Sequence, residues 1–255
     1  MDNTQTQYFI DCVDKGIKLY WETLAKARGM KLHSEDIEWV MSDDRNGPER
    51  IFCIQLSREN AKRRVDEIAG SIKNNALPNG ILITPKSEPS DIISLLEAKG
   101  FDLDYSSPGM VMELSQLEPC THQEDKIRSI KVADAGLLRK WVDVVNLDFH
   151  IMSYEQFYDL YCLAEVHLYL SFYNDIPVGT FMIIRDGELI TVEMVNTLKE
   201  YQKKGIATAA LTQILYECKS AGVCIATLRS SIEGIHLYTK IGFKECCKRV
   251  LATYE

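Results

Sequence analysis

Gln202, Lys203, Lys204 and Gly205 stand between a strand-like run and a helix-like one, a placement suited to holding an anion. The first amides of a helix lack intrahelical partners, the helix dipole adds positive potential, and glycine has no Cβ to keep a phosphate away from the backbone. Lys203 and Lys204 add local positive charge, although the plainer reading of the same residues is a solvated charged loop. The elements that must position this turn can be read on both sides of it. β-branched Ile190, Thr191, Val192, Val195 and Thr197 suit a largely buried strand over 190–197. Ile206, Ala207, Ala210, Leu211, Ile214, Leu215 and Cys218 recur at helical spacing, and Gly222 stops that helix. Another strand and a short helix ending in Gly242-Phe243 follow.

The stretch TLKEYQKKGIATAAL resembles the coenzyme pyrophosphate loop of the GNAT superfamily of N-acyltransferases, with Gln202, Gly205 and Ala207 at the motif positions. The stretch SSIEGIHLYTKIGF is similar to the family's second motif, through Ser231, Gly234, Leu237, Tyr238, Gly242 and Phe243. Two motifs in order, separated by one helix and one strand, are more specific than either alone. The resemblance covers roughly residues 127–255. It implies an acetyl-CoA-dependent N-acetyltransferase that works by direct attack of a primary amine in a ternary complex.

Acyl transfer from a thioester to an amine needs a bound thioester, an uncharged amine, a polarised carbonyl and a proton for the departing thiolate. The resemblance assigns the coenzyme's pyrophosphate to the backbone of Gln202, Lys203, Lys204, Gly205, Ile206, Ala207 and Thr208. It assigns the pantetheine arm to the strand edge at Met194, Val195, Asn196 and Thr197, with a hydrogen bond from Ser231. Tyr238 is the expected general acid, because a phenol can protonate the leaving sulfur; the alternative is a ring that only packs beside Leu237. Glu193 is the candidate base, since a carboxylate is depleted and costly in a central strand. Against that role stand a solvated strand face, a structural ion pair and a water chain that deprotonates the amine instead. Phe149, His150, Tyr154 and Tyr158 are expected on the acceptor side, His236 on the surface, and His167 as a satisfied strand histidine.

At 255 residues and 46% hydrophobic content the chain can bury two cores. The expected division is a degenerate GNAT-like domain over 1–117 and a catalytic one over 126–255, each a mixed, mostly antiparallel twisted α/β sheet flanked by helices. A net charge of −8 disfavours a nucleic-acid surface and is compatible with a small-molecule or peptide amine as acceptor. Eight cysteines without a CxxC pair argue against zinc and read as reduced core thiols. MDNTQTQYF carries no leader-like pattern and no run reaches membrane-span length, so a cytoplasmic protein without membrane partners is expected, with a homo-oligomer left open.

The first half repeats the order of the second. Phe9, Val13, Ile17, Trp21 and Leu24 form a helical core stripe over 6–28. Strands are expected at 37–41, 51–56 and 80–84, helices at 58–74 (capped by Ser57) and 92–99, and a hairpin pairing 101–105 with 110–114. LLEAKGF (95–101) aligns with LYTKIGF (237–243), so Gly100-Phe101 corresponds to Gly242-Phe243. Leu96 stands where Tyr238 stands, Ile92 opposite Gly234, and no glycine turn precedes the helix after Leu56. A fold kept without its phosphate and proton-transfer groups follows, with a chance match as the alternative. In the second half, strands at 166–173 and 178–185 flank a turn, so the sheet runs antiparallel up to the glycine turn. That order disfavours an NAD-binding Rossmann domain. Two further readings of the chain stay open: a non-catalytic acyl-CoA-binding or sensing module, and a scaffold whose first half recruits a protein.

Overall fold

A computed structural model describes residues 3–28, 31–34, 36–41, 47–117, 126–148 and 152–254. The first half runs α1 (Asn3–Arg28), β1 (Lys31–Ser34), β2 (Ile37–Met41), β3 (Arg50–Ile54), α2 (Ala61–Lys73), β4 (Gly80–Ile83), α3 (Ile92–Lys99), β5 (Asp102–Asp104) and β6 (Gly109–Glu113). The second runs β7 (Ile127–Lys131), α4 (Ala135–Asp148), α5 (Tyr154–Tyr161), β8 (Val166–Tyr173), β9 (Ile176–Asp186), β10 (Leu189–Thr197), α6 (Ile206–Ser220), β11 (Ile225–Arg229), α7 (Ile235–Ile241), β12 (Lys244–Cys247) and β13 (Val250–Thr253).

Two compact units form, Met1–Gly109 with Cys246–Glu255, and Met110–Glu245. Their sheets are ordered β1-β2-β3-β4-β13-β5 and β12-β6-β11-β10-β9-β8-β7. This differs from the linear division at 1–117 and 126–255. The expected hairpin across 101–114 does not form either: β5 lies in one sheet and β6 in the other. The burial of β6 explains why. Gly109 to Met112 are buried without alternation, which demands neighbours on both edges and cover on both faces. Between β11 and β12 it has them. β13 takes the matching inner place in the first sheet, antiparallel to β4 and to β5.

In the first unit, α1 buries the predicted stripe of Phe9, Val13, Ile17, Trp21 and Leu24, and Trp21 stacks on Phe52 of β3 with ring centroids 6.3 Å apart. α2 starts later than expected, at Ala61, with Asn60 rather than Ser57 as its N-cap and no side-chain capping bond. Strand β1 was not anticipated in sequence.

The second unit follows the expected order more closely. Asp134 caps α4 by accepting the Leu137 N–H at 2.8 Å, and α5 opens on a Ser153/Gln156 capping box. β7, β8, β9 and β10 pair antiparallel in turn, and β11 then lies parallel to β10. Along β10, Ile190 and Val192 join Ala210, Leu211, Ile214 and Leu215 of α6 in one core cluster. By strand alternation Thr191 and Glu193 turn to the opposite face. The seven described cysteines are free thiols, but Cys162 and Cys224 are exposed, which corrects the expectation of core thiols for those two.

Candidate active site

The site is built where β10 parts from β11. Their parallel register runs from Leu189↔Ile225 to Val192↔Leu228 and continues no further. Immediately beyond it, β10 bulges between Glu193 and Asn196, with Met194 in the left-handed region at φ 52°. A non-glycine residue at positive φ is uncommon and marks a backbone held by its surroundings. Gly179 on β9 admits the bulge: a Cβ there would stand 2.9 Å from the Asn196 carbonyl oxygen. Asn196 is tied to α4 through Nδ2 to the Val144 carbonyl at 3.4 Å, while Met194, Val195, Asn196 and Thr197 are all half-buried. An extended strand edge is thus left beside the opening between two parallel strands.

A turn joins the end of that edge to α6. The Gln202 side chain donates to the Thr197 carbonyl at 3.0 Å, so it braces the turn against β10. Lys203 and Gly205 both carry positive φ, 62° and 76°, and Gly205 is the N-cap of α6. No atom lies within 4 Å of the place a Gly205 Cβ would occupy, so backbone conformation alone calls for glycine here. The first helical bond is Ala209 N–H to Gly205 O at 2.9 Å, and no side chain caps the helix. The amides of Ile206, Ala207 and Thr208 therefore precede the hydrogen-bond ladder at an exposed turn. Lys203 is exposed beside them. Lys204 is placed differently from a free phosphate ligand, because its ammonium lies 4.8 Å from the Tyr201 ring centroid and 5.4 Å from that of Tyr173.

Tyr238, on α7, is buried against the core and meets Phe243 edge-on at 6.0 Å. Burial, and secondarily the charge of Glu193, push its phenol well above the ordinary tyrosine pKa. Gly234 makes room for the ring: a Cβ there would lie 2.9 Å from Tyr238 Cε2 and 3.0 Å from Ser230 Oγ. Ser231 Oγ accepts the Gly234 N–H at 3.2 Å, which fixes the turn into α7. Ser231 and Gly234 of the second motif therefore shape the turn that packs against Tyr238.

Glu193 is enclosed, its side chain 3% exposed. Oε2 accepts from Arg229 Nη2 at 2.6 Å and Nε at 3.1 Å, and Oε1 accepts from Thr191 Oγ1 at 3.0 Å. Of the readings open in sequence, the ion pair is the one the geometry shows. Arg229 itself was missed. The parallel register that pairs Val192 with Leu228 makes Arg229 the neighbour of Glu193, a signal that needs the register and not merely the sequence.

Of the residues expected on the acceptor side, Tyr154 lies half-buried under the Arg139 guanidinium, 4.3 Å from its ring centroid, whereas Tyr158 is exposed, stacks on Tyr154 and meets Tyr161 at a tilt. Phe149 and His150 lie outside the described residues. His236 is exposed, as expected, whereas His167, half-buried in β8, has a buried Nδ1 without a hydrogen-bond partner among the described residues, which corrects the expectation of a satisfied histidine; its pKa is lowered by burial and by nearby Lys131 and Arg185. Among the described residues no cluster of His, Cys, Asp and Glu could hold a metal, and no helix is long and apolar enough to cross a membrane.

Residues 142–252 match the family model described as an acetyltransferase (GNAT) domain. No curated protein matches the sequence. Among solved structures, a GCN5-related N-acetyltransferase from Kribbella flavida is similar at a TM-score of 0.72 and 13% identity, over 94% of this chain and 95% of that one. Another from Sphaerobacter thermophilus gives 0.68 and 14%, over 91% and 84%. A tandem GNAT protein from the clavulanic acid biosynthesis pathway gives 0.61 and 11%, over 95% of each chain. The chain thus shares the fold of these structures over nearly all its length, and residues 142–252 match the acetyltransferase (GNAT) domain model.

Proposed function

We propose that the second unit is an acetyl-CoA-dependent N-acetyltransferase acting on a primary amine. The observation that carries this reading is the run from the bulge at Met194 through the turn at Gly205, which joins a strand edge to an uncapped helix end through a short braced turn. A coenzyme with a diphosphate and an amide-bearing arm fits both. The amides of Ile206, Ala207 and Thr208, with Lys203 beside them, would hold the diphosphate. Val195, Asn196 and Thr197 would pair with the arm as a further strand would. Bound there, the coenzyme supplies an acetyl group activated as a thioester.

The chain's own part is to orient and to move a proton. Tyr238, kept protonated by its burial, donates its phenolic proton to the departing sulfur as the amine nitrogen forms the new C–N bond. Direct attack needs no nucleophile from the protein. The test is calorimetric titration with coenzyme A, followed by thiol release from acetyl-CoA with a panel of amines. One coenzyme bound per chain and amine-dependent thiol release are expected. Absence of binding overturns the reading, and binding without thiol release turns it into that of a sensing module.

A further inference from the structure

The strand that bears the bulge also carries a carboxylate in the setting where a general base would be sought. Its surroundings point elsewhere. Both oxygens of Glu193 are engaged as acceptors, by Arg229 on Oε2 and by Thr191 on Oε1. Arg229 reaches it through two nitrogens from the last position of β11, and 27% of the arginine side chain is exposed against 3% of the glutamate's. A partly exposed guanidinium therefore covers an enclosed carboxylate. Ser230 follows Arg229 directly, is buried, and touches the Gly234 turn beneath Tyr238.

We propose that Arg229 is a positioning residue of the acyl-transfer site: it takes Glu193 out of proton transfer and ties the end of β11, and with it the Ser230–Gly234 turn under Tyr238, to β10. This rests on the acetyltransferase reading above. In the resulting step the amine nitrogen bonds the acetyl carbon and the carbon–sulfur bond breaks. The sulfur takes the Tyr238 proton, the amine's surplus proton leaves to water, and the phenolate regains a proton from water. Glu193 neither gains nor loses a proton in that sequence.

Four variants test it: Glu193→Gln, Arg229→Met, Arg229→Lys and the double Glu193→Gln/Arg229→Met. Removing one partner of a buried ion pair is costly because the other is left uncompensated, whereas removing both is not. Arg229→Met should therefore melt roughly 10 °C below the wild type, and the double variant should regain most of that loss. Acetyl-CoA with spermidine, lysine, glucosamine and a peptide N-terminus serves as the activity probe. Glu193→Gln should keep kcat within about threefold and an unchanged pH profile, since the carboxamide still accepts from Arg229. Arg229→Met should lose about tenfold in kcat at unchanged KM for acetyl-CoA, and Arg229→Lys should restore part of it. A loss of 100-fold or more in Glu193→Gln, with coenzyme affinity intact, makes Glu193 a proton carrier and overturns the assignment while leaving the acetyltransferase reading standing. Wild-type melting in Arg229→Met overturns it even if no amine in the panel is acetylated. Failure of the wild type to bind coenzyme A removes the acetyltransferase reading itself.

Discussion

β3 and β10 break in the same way and are completed differently. Each carries one non-glycine residue at positive φ, Cys53 at 55° and Met194 at 52°, and each has a parallel neighbour, β4 or β11. In the first unit the chain returns to fill the space beyond the bulge. Glu88 N–H donates to the Ile54 carbonyl at 2.9 Å, Leu56 N–H donates to the Glu88 carbonyl at 3.0 Å, and Gln55 Nε2 reaches the Lys86 carbonyl at 2.7 Å. Gln55 and Glu88 form a parallel bridge, and buried Ser87 accepts the Thr84 N–H at 3.0 Å. In the second unit the corresponding connection, residues 230–234, is shorter, and among the described residues it makes no backbone hydrogen bond to β10. Two strands that part expose amides and carbonyls that want an extended partner. One unit draws that partner from its own sequence; on the reading proposed above, the other leaves the edge for the coenzyme. The first unit's helix after the bulge starts at Ala61 without a glycine turn, and Leu96 stands where the second unit has its phenol, so the open edge, the turn and the phenol are lacking together.

The comparison is broken most sharply at the phenol. Tyr238→Phe should lower thiol release on the order of 10²–10⁴-fold while leaving coenzyme affinity in place, and Leu96→Tyr should add nothing to a wild-type background. Equal activity in Tyr238→Phe would remove the contrast between the units. Gly205→Ala should weaken coenzyme A binding about tenfold in calorimetry and cost about 1–2 kcal/mol in denaturant unfolding, because a side chain strains the left-handed cap. Gly234→Ala crowds Tyr238 and Ser230, and should cost about 1–3 kcal/mol with a fall in kcat larger than any change in KM. The smallest effect is expected in the first unit, where Asp14 lies under the filled groove and accepts from Thr84 Oγ1 at 2.7 Å. Burial raises its pKa above the ordinary 3.8 against the opposing influence of Thr84 and Lys86. The folded state then binds a proton at a higher pH than the unfolded chain, so this residue's contribution to stability falls as pH rises through the window just above 3.8. Asp14→Asn should melt higher relative to the wild type at pH 7 than at pH 4, and a constant difference would show that Asp14 is not held this way.

The sequence makes the second unit's glycine turn legible because each part has its own local reason: β-branched residues before Gly205, a helical apolar period after it, and a glycine where φ must be positive. Tyr238 and the Gly242 C-cap are legible through the motif and its repetition at Gly100, both glycines having positive φ. Pairing across distance is not. Glu193 and Arg229 are 36 residues apart, and only the parallel register brings them together. The run GMVMEL is apolar enough for a buried strand, yet nothing in its composition says which sheet receives it. The role of Lys86–Pro89 was equally hidden, since a turn-rich segment carries no sign that it will lie along a neighbouring strand.

β13 occupies an inner position of the first sheet, hydrogen-bonded on both sides to strands that precede it by well over a hundred residues. Val250 and Ala252 are buried within that unit's core. The half of the protein that leaves the ribosome first therefore cannot close until Thr253 has been made, and it must wait with an open seam between β4 and β5 through the synthesis of everything between. A stop codon after Phe243 would spare every group assigned to chemistry and still unseat the part of the molecule that was translated first.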